Sequence, residues 1–396
     1  MPATDMNKTR VSIVKAHNYD LPEVRAAVEK SIDLLGGLAG IIPSGSKVFV
    51  KVNHLSPPSP AERGIVTHPV FVEAALDVLK GTGAEITVGD DIESGDGDGF
   101  LVSGIRQVCQ RAGVRLINLR EEGFVETECN GRFLDKVYSS KAVQEADLIV
   151  NLPKLKTHSL TVFTGGIKNM YGTIPIGLRR KFHGEYIRSQ DFCQMLTDIF
   201  ATVIPRLTIM DGIVAMEGEG PSGGKLRNLG LVLASRDAVA LDAVASKIIG
   251  LNPQDIHTTR YAHERGLGRA DLDNIEVVGE TVESTAVADF RLPASASTAI
   301  LGRVPRFLSR FILAQLAIKP KVVQQNCTGC AECEKTCPRG AITVSHDIAE
   351  INDSICIQCM CCHEVCRFDA IVPQQSALGR TVSSVTNIIR KLMSTA

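Results

Sequence analysis

Nine of the twelve cysteines lie within forty residues, between positions 327 and 366. Eight of them form two runs, Cys327, Cys330, Cys333 and Cys337, with Pro338 following, and then Cys356, Cys359, Cys362 and Cys366. Each run is spaced C-x2-C-x2-C-x3-C. Thiolates are soft ligands and this spacing suits an iron–sulfur cube, so each run reads as part of a 4Fe-4S site. Zinc also takes four thiolates, but usually as two separated C-x2-C pairs. A disulfide framework would call for a secreted chain, whereas Met1 to Arg10 is polar with no apolar signal core. Cys361 is a surplus thiol, expected to be a spectator beside the cube. The scattered Cys109, Cys129 and Cys193 read as buried free thiols.

A second group of residues suits an anion. Lys154, Lys156 and His158 alternate, so in an extended backbone they point to one side. Gly165 and Gly166 follow, and then Lys168. Glycines expose backbone N–H groups and lysines add charge, a combination that suits phosphate or carboxylate. His158 is a candidate proton donor. Glu217 and Glu219 flank a glycine and are candidate acids or bases. Asp90, Asp91, Asp96 and Asp98 are hard oxygen donors for a divalent cation, but aspartate and glycine favour turns, and a solvated turn is the expectation. Arg179 to His183 reads as a solvated basic turn, and Asp237 as a helix N-cap. The chain has no G-x-S-x-G, Walker loop or HExxH. Gly218 to Gly223 matches G-x-G-x-x-G by letter only and reads as a flexible loop.

The elements that must position these residues alternate. Strands are expected at 11–15, 47–52, 84–88, 115–119, 148–152, 207–210, 229–234 and 275–278. Helices are expected at 21–35, 68–80, 99–112, 238–249 and 255–266, where apolar residues recur at helical spacing. This alternation predicts an α/β fold, a mostly parallel sheet with helices on both faces, joined to a small C-terminal ferredoxin-like α+β cluster module. Ligands of such sheets bind at the carboxyl ends of the strands. The polar stretches after them are Lys51 to His54, Asp90-Asp91, Asn151 to His158 and Asp211 to Glu217. The expected units are an α/β domain over 1–290, a linker and amphipathic helix over 291–320, the cluster module over 321–375 and a helical tail over 376–396. The helix from Val304 to Lys319 is basic and is expected to pack between the units rather than on a membrane.

Composition narrows the function. Hydrophobic residues are 44% of the chain, ample for a large core. A net charge of −1 gives no pull toward nucleic acid or an anionic membrane. Trp is absent and aromatics are 5%, so base-stacking surfaces are not expected. No apolar run is long enough to cross a membrane, and a reducing cytoplasm fits the free thiols.

The cysteine segment resembles bacterial-type two-cluster ferredoxins. In these the fourth cysteine of each run ligates the other cluster. The resemblance therefore implies Cys327, Cys330, Cys333 and Cys366 around one cube, and Cys356, Cys359, Cys362 and Cys337 around the other. Arg367 stands where a second proline often sits. Upstream, Asn151-Leu-Pro-Lys154-Leu-Lys156-Thr-His158, Gly165-Gly-Ile-Lys168-Asn-Met-Tyr-Gly172, Asp211-Gly with Glu217-Gly, and Asp237-Ala-Val-Ala-Leu-Asp242 resemble the domain-of-unknown-function family 362. That resemblance implies an α/β domain fused to a ferredoxin and a redox role, with no established substrate. The expectation is an iron–sulfur oxidoreductase, served by a redox partner protein or small electron carrier and acting on an anionic small molecule. The rivals are an electron-transfer adaptor whose α/β domain docks a partner protein, and a cluster maturation or delivery factor.

Overall fold

The computed structural model describes residues 8–55, 58–92, 98–293, 318–376 and 381. The strands in chain order are β1 (Thr9–Lys15), β2 (Lys47–Val52), β3 (Glu85–Asp90), β4 (Arg115–Asn118), a hairpin of β5 (Phe124–Glu128) with β6 (Lys136–Ser140), then β7 (Leu148–Leu152), β8 (Lys154–His158), β9 (Val162–Thr164), β10 (Leu207–Glu217), β11 (Lys225–Ser235) and β12 (Ile275–Gly279). All but the hairpin join one ten-stranded sheet, ordered β12-β1-β11-β10-β7-β2-β3-β4, with β8 beside β10 and β9 beside β8. Only β11 and β9 run against the rest. The fold is α/β with a mostly parallel sheet.

The core follows from the period-two alternation of strand side chains. Val48, Val50 and Val52 enter one apolar layer and Phe49 the other. Leu231 and Leu233 divide from Val232 and Ala234 in the same way. The helices Leu21–Asp33, Pro69–Lys80 and Ile105–Ala112 cover the first layer, and Ala238–Ile248 covers the second. Asp20, His68 and Asp237 accept from backbone N–H groups at the starts of three of these helices. Each large side chain removed from water contributes roughly 2 kcal/mol, so the two layers make the sheet a stiff frame.

One feature of the frame builds the site. The chain of β7 breaks at Pro153, which has no N–H to give, and resumes as β8 along the same side of β10. β10 is eleven residues long, so it carries β8 and β9 past the carboxyl ends of β2, β3 and β7. Asp211 to Glu217, expected as a loop, is therefore strand, with an irregularity between Gly212 and Val214. The helix expected over 99–112 is two, Gly99–Val102 and Ile105–Ala112, separated at Gly104, whose φ is 80°. Residues 179–183 lie in the helix Ile176–Glu185, not in a turn.

The small module runs through β13 (Ile318–Val322), β14 (Ile342–Ser345), β15 (Ile348–Ile351) and β16 (Ile371–Gln375), with the helices Glu332–Thr336 and Cys361–Val365. β13 pairs with β16 and β14 with β15, both antiparallel. Lys319, expected at a helix end, is strand. Ile318 is the first residue of the same strand, while residues 304–317 of the expected helix, all but Ser376 and Thr381 of the 376–396 tail, and Asp96 lie outside the described residues. No described helix is long and apolar enough to cross a membrane.

Candidate functional site

The two cysteine runs adopt one backbone twice, offset by twenty-nine residues. Gly329, Ala331 and Gly340 have φ of 67°, 58° and 60°, and their counterparts Gln358, Met360 and Asp369 have 59°, 63° and 51°. Left-handed backbone is costly for Ala, Gln and Met, and its recurrence marks a functional constraint. Alternating left-handed residues turn successive N–H groups inward into an anion-binding concavity, a device common at iron–sulfur sites. Ala341 N donates to Cys337 Sγ at 3.1 Å, and its counterpart Ala370 N donates to Cys366 Sγ at 3.2 Å. Ala349 N donates to Cys327 Sγ at 3.4 Å. Such donors stabilise thiolates and tune a cluster's potential.

Cys327, Cys330, Cys333 and Cys366 line one cavity, with Val344 and Ile371 among its walls. Burial pushes the Cys362 thiol well up, and Cys359, Cys356, Cys333 and Cys337 are near enough to add to the effect. Among the described residues no three His, Cys, Asp or Glu side chains are set around a single metal ion. A cube asks for something different, four thiolates at separate irons, and the donor chemistry of these eight cysteines fits it. Cys361 is buried and shares a hydrogen bond with Cys359.

At the carboxyl end of the sheet the charged residues are buried, and most are already paired. Lys154 Nζ lies 2.8 Å from Asp211 Oδ2 and 2.6 Å from the Tyr19 hydroxyl. Lys51 is 2.7 Å from Asp90. Asp91 accepts from Arg120, from Arg179 and from Ile176 N. Asp90 and Asp91 are thus not a solvated turn but the anions of a buried network. Asp98 caps the helix Gly99–Val102 and pairs with Arg106.

Gly165 and Gly166 also differ from expectation. Gly166 N and Ile167 N donate to the two oxygens of Asp242, at 2.6 and 3.0 Å. The anion cradled at this short helix is a side chain of the protein itself. A Cβ at Gly165 would lie 2.1 Å from Asp242 Oδ1, so the glycine is there for close approach. Burial pushes the Asp242 carboxyl up to about 7.

Lys156, Lys168 and His158 are the residues left facing inward. Lys156 Nζ donates to the Ile65 carbonyl at 2.6 Å, and burial, reinforced by Lys168, lowers its pKa to about 7. Lys168 is half-buried, 5.7 Å above the Tyr171 ring, with no ion pair among the described residues. Burial also lowers its pKa, against the nearby Glu364 carboxylate. His158 Nδ1 accepts from Leu160 N and Thr161 N, which puts the proton on Nε2. That Nε2 sits 3.3 Å from Glu364 Oε1. The angle makes no ordinary hydrogen bond, so both atoms are buried without a hydrogen-bond partner, as is His183 Nδ1. Burial, and then Lys168, hold His158 neutral. His158, the candidate proton donor, is thus held neutral with its proton on Nε2. Glu217 is turned away from acid–base work: it accepts from Arg291 N at 3.1 Å and lies 3.7 Å from the same residue's guanidinium.

The model of the family Domain of unknown function (DUF362) matches residues 48–247, half of the chain. The chain belongs to this family. A 4Fe-4S binding domain matches residues 319–342, which hold the first cysteine run. A thylakoid-associated protein of Synechocystis sp. is 30% identical over 259 residues, 65% of this chain and 79% of that one. One component of an ion-translocating oxidoreductase complex from Methanosarcina acetivorans is 44% identical over 50 residues, 13% of this chain and 19% of that one. Among solved structures, the lactate racemase apoprotein from Thermoanaerobacterium thermosaccharolyticum aligns with 59% of this chain and 55% of its own at 14% identity. Its TM-score of 0.37 carries no argument.

The cluster module is docked on the DUF362 domain. Loop 218–224 holds both sides. Thr157 Oγ1 donates to Gly218 O, and Ser159 N donates to Gly220 O. On the other side Ser222 Oγ lies within hydrogen-bonding distance of the carbonyls of His363 and Glu364, and His363 Nε2 is 3.0 Å from Glu219 O. Pro338 packs on Gly184, where a Cβ would approach it to 3.0 Å. The DUF362 lysines and the cysteine helix Cys361–Val365 thereby share one buried interface. Sequence reasoning missed Glu364 and His363, and gave no site role to Asp242, Tyr171 and His183. A signal existed for the first two. The first run reads Glu332-Cys-Glu-Lys-Thr336 where the second reads Cys361-Cys-His-Glu-Val365, a helix less polar than its twin.

Proposed function

We propose that the protein is an iron–sulfur oxidoreductase whose DUF362 domain binds an anionic small molecule beside the helix Cys361–Val365. The observation that carries this reading is the meeting of that helix with Lys156, Lys168 and His158, where buried polar atoms are left without partners. In native interiors such atoms call for water or a ligand. Cys327, Cys330, Cys333 and Cys366 would hold one 4Fe-4S cluster, and Cys337, Cys356, Cys359 and Cys362 another. When bound, these groups supply single electrons, received from a redox partner protein or small carrier.

The chain's own residues divide the remaining work. Lys168, with no carboxylate partner among the described residues, holds the anionic group through a charge-assisted hydrogen bond. Lys156, poised near pH 7, gives up a proton at neutral pH. In the reducing direction the substrate takes two electrons, delivered singly from the carrier, and two protons, one from the Lys156 ammonium and one from water, to give the product. His158 stays neutral and keeps an unpartnered N–H beside Glu364. Lys154, Gly165 and Gly166 keep the frame in register. A reducing cytoplasm suits these thiols.

The test is anaerobic reoxidation of the dithionite-reduced, desalted protein against small phosphorylated and carboxylated metabolites. One metabolite should restore the oxidised absorbance with product in proportion, and Lys168→Ala should abolish that while cluster absorbance persists. Reoxidation by redox proteins alone would end the reading and leave the DUF362 domain as a docking adaptor.

A further inference from the structure

The two halves of the cluster module repeat one fold in unlike surroundings. In the first half Cys330 is exposed, and Phe368, which lines the same cavity, is 40% exposed. The helix of that half turns Glu334 and Lys335 to solvent. In the second half Cys361, Cys362, His363 and Glu364 are all buried, under β8 and loop 218–224. Cys337, assigned with Cys362 to the same cluster, is followed by Pro338, which packs on Gly184. Two separate contacts thus press Cys362 and Cys337 of the second set against the DUF362 domain, while of the first set Cys330 stays exposed and Cys366 lies beside the Arg63 contacts to Arg367 O and Asp369.

The charge at that contact is not balanced. Lys51 is offset by Asp90, and Lys154 by Asp211. Asp91 faces both Arg120 and Arg179. Lys156 and Lys168 remain, without an ion pair among the described residues and opposed chiefly by Glu364, with a smaller effect of Asp90 on Lys156. Reducing a cluster adds one negative charge. Burial by itself disfavours that charge, while unbalanced ammonium groups in a low-dielectric setting favour it.

We propose that Lys156 and Lys168 raise the potential of the site built by Cys337, Cys356, Cys359 and Cys362, so that the site at Cys330 is the lower-potential end, open to a one-electron carrier protein. It rests on the assignment of the eight cysteines to two clusters and not on the substrate.

The experiment is an anaerobic potentiometric titration of the full chain followed by electron paramagnetic resonance, with and without a soluble gadolinium chelate. Two potentials are expected in the native protein, and the signal reduced first should be the one less relaxed by the chelate. Lys168→Gln should lower that potential and leave the other in place, and Lys168→Arg should restore it. If the chelate acts more strongly on the signal reduced first, or if Lys168→Gln shifts both potentials or neither, the inference is overturned. Should Lys168→Gln lose its clusters, the order of reduction in the native protein decides alone. About four irons per chain instead of about eight would sink the two-cluster assignment itself. Turnover plays no part, so a missing substrate leaves every outcome readable.

Discussion

Asp242 is an anion that the fold supplies to its own glycine-rich turn. Its two oxygens take up the N–H groups of Gly166 and Ile167, donors that a phosphate would otherwise claim. Asp242→Ala leaves both donors buried and unpaired, a cost of about 2–5 kcal/mol. Urea unfolding should read that loss, and a change below about 0.5 kcal/mol would contradict the cradle. Lys156 gives a pH signature. Its folded pKa is about 7 against an ordinary 10.5, so the unfolded chain binds more protons between those values. This group's cost is full below pH 7 and is relieved as pH rises through the window, contributing about 1.4 kcal/mol per pH unit. Lys156→Met should remove that slope from unfolding free energies measured between pH 7 and 9. Equal slopes in both proteins would mean that Lys156 is not buried as a cation. The period of two in Lys154, Lys156 and His158 was legible because it is local. What they face was not, because Asp211 is fifty-seven residues from Lys154 and Glu364 more than two hundred from His158.

At the scale of elements, β8 and loop 218–224 act as the clip for the cysteine helix. Gly223 has no room for a side chain, since a Cβ there would lie 2.6 Å from His363 Cε1. That ring is pinned through both nitrogens, to Ile371 O and Glu219 O, and cannot swing aside cheaply. Gly223→Val should lift the helix. Hydrogen exchange over 361–365 and 156–158 should accelerate while iron content is unchanged, and unaltered exchange would show that the clip is elsewhere. Sequence patterning found the strands and helices of the frame because each buries its own periodic face. It missed the hairpin of β5 and β6, β8, β9 and the helices Ile176–Glu185 and Ser189–Thr202, and it missed the far half of β10 because Gly and Glu at 212–219 read as loop by composition. Ladder pairing with β11 overrides that preference.

For the whole molecule, the buried interface predicts joint unfolding of frame and module. Far-ultraviolet circular dichroism and cluster absorbance should lose their signals at the same urea midpoint in the native protein and part company in Gly223→Val. Distinct midpoints in the native protein would mean that the module is only tethered. The layered α/β architecture was legible from alternating strands and helices, and the module from cysteine spacing. Their docking was not, since it depends on side chains such as Ser222 and Glu364 that look ordinary in the chain.

β13 and β16 lie side by side, Ile318 opposite Gln375, so the chain enters and leaves the module at one edge. An insert with neighbouring ends can be gained or lost by recombination without rethreading its host. Heredity can therefore treat the cysteine module as a cassette with its two ends side by side.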